Sequence, residues 1–412
     1  MIITIAFRNI WRNLRRTVFC ITAVGVAVFF IVFYQSFIDG MTKSINEVVQ
    51  IFDTGHVKAV SAKYEEENEY MPVQYPVANG EDAQMLVQRI KKIDGVRAVF
   101  PRISSYATLQ ENVVKHATLW GLKIEEEMAA NNFNLTGRNN GLIEGRYPLA
   151  DSNECAVGLA FAEKTGLKIG DRIVLKTVSA QFSDKLWNPE ITGIFNFDYG
   201  KVDQETIIVD FQRLQRLLVL DKGTQSLVIF ADEDRKSSAI AAELRSLLGK
   251  DNVIREWRDN YWVAVMGMVK PLYLAIYMIF LTVACFLIIN TVVMIIHERI
   301  KEIGMMGSLG MTRREIVEVF FFESLFLSAI GAFAGVALGG LLTGILQNIP
   351  IRWTSVTGNT FTEFPAGNAL FLQFSAASLV RAWFMGVVTA SIFTLFPSLK
   401  SAFVEPVEAL RR

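Results

Sequence analysis

The sequence predicts an α+β membrane protein: four transmembrane helices, with a large extracytoplasmic mixed α/β domain between the first and the second. Three observations predict it. Four runs, near 17–37, 272–296, 317–346 and 379–396, are apolar over the roughly 20 residues that a bilayer-spanning helix needs. Half the residues are hydrophobic (51%), yet 20% are charged, which is too many for a bundle of spans alone. The charges therefore gather between the spans, and the stretch 40–267 is long enough for a domain with its own core.

The chain opens, over 1–16, with an amphipathic pattern. Phe7, Ile10, Trp11 and Leu14 fall at helical spacing on one face, and Arg8, Arg12, Arg15 and Arg16 lie largely opposite. This predicts an interfacial elbow helix, serving either as an anchor or as a clamp on a moving bundle. The first span, 17–39, is too long for a signal-peptide core and lacks a small-residue cleavage site after it, so it is read as an uncleaved anchor.

In the 40–267 domain, His56, Val57, Lys58, Ala59 and Val60 alternate as in a strand. Ala83, Leu86, Val87, Ile90 and Ile93 stripe a helix stopped by Asp94-Gly95, and 96–100 reads as a second strand. The pattern returns at the far end: a strand at 226–230, a helix striped by Ile240, Leu244 and Leu247 and stopped by Gly249, and a strand over 252–257. Two β-α-β units at opposite ends of one domain predict a split βαβ sandwich whose halves meet in space. Between them, about 104–204, short strands and glycine turns predict a β-rich insertion.

The second span, 268–296, leads into a loop at 297–316, followed by the third span at 317–346. An outer loop at 347–376, the fourth span at 377–399 and a tail at 400–412 complete the chain. Arg8, Arg12, Arg15 and Arg16 precede span one; Arg299, Lys301, Arg313 and Arg314 lie in the 297–316 loop; Lys400, Arg411 and Arg412 follow span four. By the positive-inside rule the termini and the 297–316 loop are cytoplasmic and the 40–267 domain is outside. The expected location is an inner, or plasma, membrane.

Zero formal net charge makes nucleic acid an unnatural partner. Of three cysteines, Cys20 and Cys285 fall in spans and Cys155 stands alone in the domain; His56, His116 and His297 have no metal-ligand spacing. No serine sits in a nucleophile elbow, and no phosphate-binding loop occurs. The expectation is a chain with no catalytic residues, metal or cofactor, which does not hydrolyse ATP by itself.

The 297–316 loop is the most informative stretch. Span two should continue as a helix through Glu298 and Lys301, an i, i+3 pair. Ile303, Met305, Met306 and Leu309 then place deformable apolar side chains on a loop with no core to join, which marks a docking surface for a soluble motor. Gly304, Gly307 and Gly310 permit tight turns and close backbone approach, and Thr312-x-x-Glu315 is a capping box that restarts the helix. Arg299, Glu302 and Arg313 belong to the same charged surface. In span three, Gly331, Gly335 and Gly339 recur at four-residue spacing for close helix packing, within one subunit or between two. Glu323, near the inner end of that span, is expected to reach the interface, and Arg381 to snorkel outward.

The run ERIKEIGMMGSLGMTRREI from Glu298, with Glu323, the GAFAGVALG run and the terminal Pro406-Val407-Glu408-Ala409-Leu410-Arg411, resembles FtsX-like ABC-transporter permeases. Gly145-Arg146-Tyr147-Pro148, Leu167 to Asp171, Ile191 to Phe195 and Trp257-Arg258-Asp259 resemble the lipoprotein-releasing LolC/LolE type. The resemblance covers nearly the whole chain and implies a mechanotransmission subunit. Such a permease pairs with a second copy or a sister permease, and two copies of an ABC ATPase, which bind the ATP and Mg, dock on the cytoplasmic loop through Glu298, Arg299, Glu302, Ile303, Gly304, Met306, Leu309, Gly310 and Arg313. The substrate implied is a lipoprotein drawn from membrane lipid and passed to a periplasmic chaperone. The short 179–189 segment departs from the hook that docks such a chaperone. Phe29, Phe30, Phe33 and Phe37 are placed to line the substrate cavity, or equally to face lipid. The alternatives are a MacB-like exporter of peptides or drugs and an FtsX-like regulator of cell-wall hydrolases.

Overall fold

The computed structural model describes residues 2–12, 14–109, 116–131, 133, 141–298, 305, 308, 310–352 and 369–401. The chain forms two compact units: an α/β unit of residues 42–267 and 350–370, and a helical unit of residues 1–41, 268–349 and 371–412.

Among the described residues, the main sheet of the α/β unit has eleven strands: β1 (Val57–Ser61), β2 (Val96–Leu109), β3 (His116–Leu122), β4 (Leu142–Gly145), β5 (Glu154–Gly158), β6 (Leu175–Val178), β7 (Asp184–Trp187), β8 (Glu190–Phe195), β9 (Thr206–Asp210), β10 (Ser226–Ala231) and β11 (Asn252–Glu256). Their order is β11-β1-β10-β2-β3-β9-β5-β8-β4, with β6 against the far half of β2 and β7 against β6. The first four strands, all antiparallel, and the Ala83–Ile90 and Ser237–Leu248 helices make the split βαβ sandwich. Its two halves, distant in sequence, share one core of Val57, Leu86, Ile90, Ile229, Leu244 and Ile254. Helix ends follow local chemistry. Asp82 caps the first by accepting from Gln84 N at 2.8 Å, and Gly249, at φ +73°, ends the second.

The second strand is much longer than the 96–100 stretch its pattern suggested. Residues up to Arg102 pair with β10, and residues from Ile103 pair with β3, so one strand serves both halves of the domain. The β-rich part also runs past residue 204. The β9 strand and the Phe211–Leu217 helix belong to it, and Phe211, Leu214, Leu218 and Leu220 close its core. The central strands of its sheet are buried on both faces. Leu119 and Ile207 enter one core, whereas their neighbours Trp120 and Ile208 enter an aromatic core with Phe52, Phe133, Phe195 and Phe197.

Among the described residues, the Thr17–Thr54, Arg313–Leu346 and Ala376–Phe393 segments are the helices found long and apolar enough to cross a membrane. A further helix, Tyr261–Glu298, has 38 residues with Pro271 inside it. The Ile2–Arg12 helix lies beside the Arg313–Leu346 helix, with Phe7 edge-on to Phe326 at 5.9 Å. Its predicted apolar face divides: Ile10 is buried, whereas Trp11 and Leu14 are exposed. Glu323 does not reach outward; it is 3% exposed, packed inside the unit. Buried hydroxyls bond back to their own helices, Thr343 to Gly339 O at 2.9 Å and Ser391 to Val387 O at 2.7 Å, as groups without water must.

Candidate functional site

Two constructions stand out: a glycine seam between helices, and a clasp where the chain enters and leaves the α/β domain. At the seam, a Cβ on Gly331 would meet Ile21 O at 2.9 Å, and one on Gly335 would press still closer on Gly25 O. At Gly339 it would meet Val32 Cγ1 at 2.9 Å. The three glycines thus let the Arg313–Leu346 helix lie backbone to backbone on the Leu14–Val49 helix of the same chain. Gly386 adds a third helix, with a Cβ position 2.8 Å from Val28 Cγ2.

The clasp begins where the Leu14–Val49 helix loosens into a π-helical turn, Gln50–Thr54. Gly55 ends the turn at φ +62°, with Val228 and Ile229 so near that no side chain fits. Asp53 then accepts from Lys58 Nζ at 2.8 Å and from Asn260 Nδ2 at 2.8 Å. Asn260 also caps the Tyr261–Glu298 helix, its Oδ1 accepting from Trp262 N at 2.9 Å. A backbone tie runs alongside, from Trp257 N to His56 O at 3.2 Å. The segment leaving one long helix is thereby bonded to the segment entering the next. His56 Nε2 lies 2.9 Å from Asp234 Oδ1; burial pulls the imidazole pKa down, against the pull of that carboxylate.

Behind the turn sits Arg102, 3% exposed along its side chain. It donates to Glu127 Oε2 from Nε at 3.0 Å and from Nη2 at 2.7 Å, and Nη2 also donates to Ile51 O at 2.8 Å. Its guanidinium stacks over Trp120 at 5.3 Å and Phe133 at 5.9 Å. Burial raises the Glu127 pKa, and the adjacent guanidinium opposes the rise. This pair pins the π-helical turn to both β2 and the Ile124–Ala130 helix.

Of the residues the sequence singles out in the 297–316 loop, Arg299, Lys301, Glu302, Ile303, Gly304, Met306, Gly307 and Leu309 lie outside the described residues. Glu298 ends the Tyr261–Glu298 helix. Gly310 is exposed at φ +92°, and Arg313 is the first residue of its helix. The capping box before it is formed: Glu315 N donates to Thr312 Oγ1 at 3.3 Å, and Thr312 N donates to Glu315 Oε2 at 2.8 Å.

Phe30 stacks on Phe280 at 5.9 Å and meets Phe29 edge-on at 5.5 Å; Phe29, Phe33 and Phe37 are half-buried. The clasp itself escaped the sequence reading. Asn260 before an apolar run was a visible cap signal, and Arg102 inside Val-Phe-Pro-Arg-Ile was a visible anomaly.

Comparison with known proteins gives the family. A family model described as the MacB-like periplasmic core domain matches residues 17–247, more than half the chain, and one described as the FtsX-like permease C-terminal matches residues 274–406. The chain belongs to the MacB/FtsX family of ABC transporter permeases. The lipoprotein-releasing system transmembrane protein LolC of Xylella fastidiosa is 23% identical over 333 residues, covering 77% of this chain and 78% of that protein. LolC of Neisseria meningitidis is 22% identical over 347 residues, 80% of this chain and 81% of that one. The pyoverdine export ATP-binding/permease protein PvdT of Pseudomonas aeruginosa is 24% identical over 355 residues, 81% of this chain but 44% of its own length. As a MacB/FtsX permease the chain is a membrane protein and a transporter component. The glycine seam falls within both matched regions.

Proposed function

We propose that this permease couples ATP hydrolysis by a separate ABC ATPase, present as two copies, to movement of its periplasmic domain, and so releases lipoproteins from the inner membrane. The observation that carries this reading is the likeness to LolC along more than three quarters of both chains. In this reading Tyr261–Glu298 carries the second of four spans, the termini are cytoplasmic, and the permease pairs with a second copy or a sister chain.

The ATPase docks at Glu298, Arg299, Glu302, Ile303, Gly304, Met306, Leu309, Gly310 and Arg313. The capped helix start at Thr312 gives that surface a rigid base. ATP and Mg belong to the partner. The seam of Gly331, Gly335 and Gly339 makes two helices move as one body, and the clasp carries the movement into the periplasmic domain. Phe29, Phe30, Phe33 and Phe37 contact the acyl chains of the substrate. A periplasmic chaperone receives the product.

The test is depletion of the protein followed by separation of inner and outer membranes and detection of labelled mature lipoproteins. Their accumulation in the inner membrane supports the reading; normal sorting overturns it. A second reading, export of a small molecule, rests on the PvdT likeness across 81% of this chain. It predicts normal lipoprotein sorting together with loss of an exported compound from the medium.

A further inference from the structure

Against the clasp lies a cavity of about 500 Å³, inside the α/β unit, that the release reading does not use. Its volume falls within the roughly 300–1,000 Å³ typical of small-molecule sites. One wall is apolar, from Val48, Phe52, Trp120 and Val202, and Tyr261 and Trp262 add aromatic rings with polar tips.

The charges on its lining are mostly committed. Lys58 is bonded to Asp53 at 2.8 Å, and Arg255 is paired with Glu65. The Glu256 carboxylate accepts from Ser238 at 2.7 Å and from Ser237 at 3.3 Å. Two cations remain. Arg102 lines the cavity, nine-tenths buried, and its Nη1 has no hydrogen-bond partner although Nε and Nη2 are both engaged. Lys201 lines it from the exposed side, with Glu205 one helical turn away. A buried guanidinium N–H without an acceptor is costly, and guanidinium matches phosphate and carboxylate oxygens in geometry and charge.

We propose that this cavity binds an amphiphile bearing one anionic headgroup, phosphate or carboxylate, with Arg102 and Lys201 on the headgroup and the acyl chain along Phe52 and Trp120. Because Asp53, Thr54 and Asn260 line the same cavity, occupancy bears directly on the clasp. The inference does not rest on the lipoprotein-release reading.

The test uses the full-length protein in detergent and a lysophosphatidic acid with a diazirine in its acyl chain, with crosslinked peptides mapped by mass spectrometry. Crosslinks on the segments 48–58 and 199–206 are expected. Lys201→Gln, an exposed substitution that removes no clasp hydrogen bond and adds no acid beside Asp53, should cut that labelling about tenfold while the melting curve stays that of the parent. A fatty acid carrying the same diazirine should label the same segments. Equal labelling by the neutral monoacylglycerol probe would overturn the proposal. So would labelling confined to the apolar helices, or competition by inorganic phosphate alone with no acyl crosslink.

Discussion

Asn260 holds Asp53 with one end of its amide and caps the Tyr261–Glu298 helix with the other, at 2.8 and 2.9 Å. A single side chain thus registers the entry of one long helix to the exit of another. Asn260→Ala removes both bonds and should lower stability by about 1–2 kcal/mol. Asn260→Asp keeps the cap but sets a carboxylate against Asp53, so it should fold normally and lose release activity. Melting curves beside a lipoprotein-release assay check this, and full activity of Asn260→Asp would remove the tie from the coupling path.

The seam tolerates no added atom at its tightest point. Gly335→Val should separate the Arg313–Leu346 and Leu14–Val49 helices at a cost of about 1–3 kcal/mol. Gly344→Ala, whose Cβ position is 3.8 Å from its nearest neighbour, Phe374, should be neutral. Thermal aggregation of the detergent-solubilised pair of variants decides it; equal midpoints would mean that the seam is loose.

Glu127 pairs with Arg102, and both side chains are almost wholly buried. Glu127→Ala should therefore destabilise the α/β domain by about 3–5 kcal/mol, because it strands a buried charge. Replacing both residues with leucine should cost much less. Urea titrations of the two variants, followed by tryptophan fluorescence, give the comparison.

Asp203 accepts from Phe197 N at 2.8 Å and Tyr199 N at 2.9 Å, yet burial pushes its pKa up to about 7. The folded protein then binds a proton that the unfolded chain releases above its ordinary value of 3.8. The stability this adds is complete below that value and is lost as pH rises to about 7. Denaturation midpoints measured from pH 5 to 8 should fall with pH. Asp203→Asn should flatten the slope, and an unchanged slope would place the titrating group elsewhere.

Gly304→Glu or Leu309→Glu should leave the protein inserted in the membrane but reduce co-purification of the ATPase by tenfold or more, about 1.4 kcal/mol of docking energy. Unaltered co-purification would move the docking surface away from the 297–316 loop.

Much of this could be read from residues near one another in the chain. Gly249 ends a helix because it alone adopts φ +73° without strain, and Thr312 with Glu315 starts another by bonds three residues apart. Alternation at His56 to Val60 and the apolar spacing of Leu86 and Ile90 reported two elements, the Val57–Ser61 strand and the Ala83–Ile90 helix. The β-rich part resisted because β9 (Thr-Ile-Ile-Val-Asp) is buried on both faces. A strand apolar on both sides shows no period of two and does not name its neighbour.

By itself, then, the sequence determined the apolar runs, the helix caps, the twin β-α-β units and the glycine period, since each depends on contacts within a few residues. Tertiary structure alone decided that β3 lies parallel to β9 and that Gly335 faces Gly25. It alone brought Asn260 to Asp53 across 207 residues. Those pairings are chosen by which surfaces pack most closely once the chain has collapsed, a competition among all segments that no local pattern records.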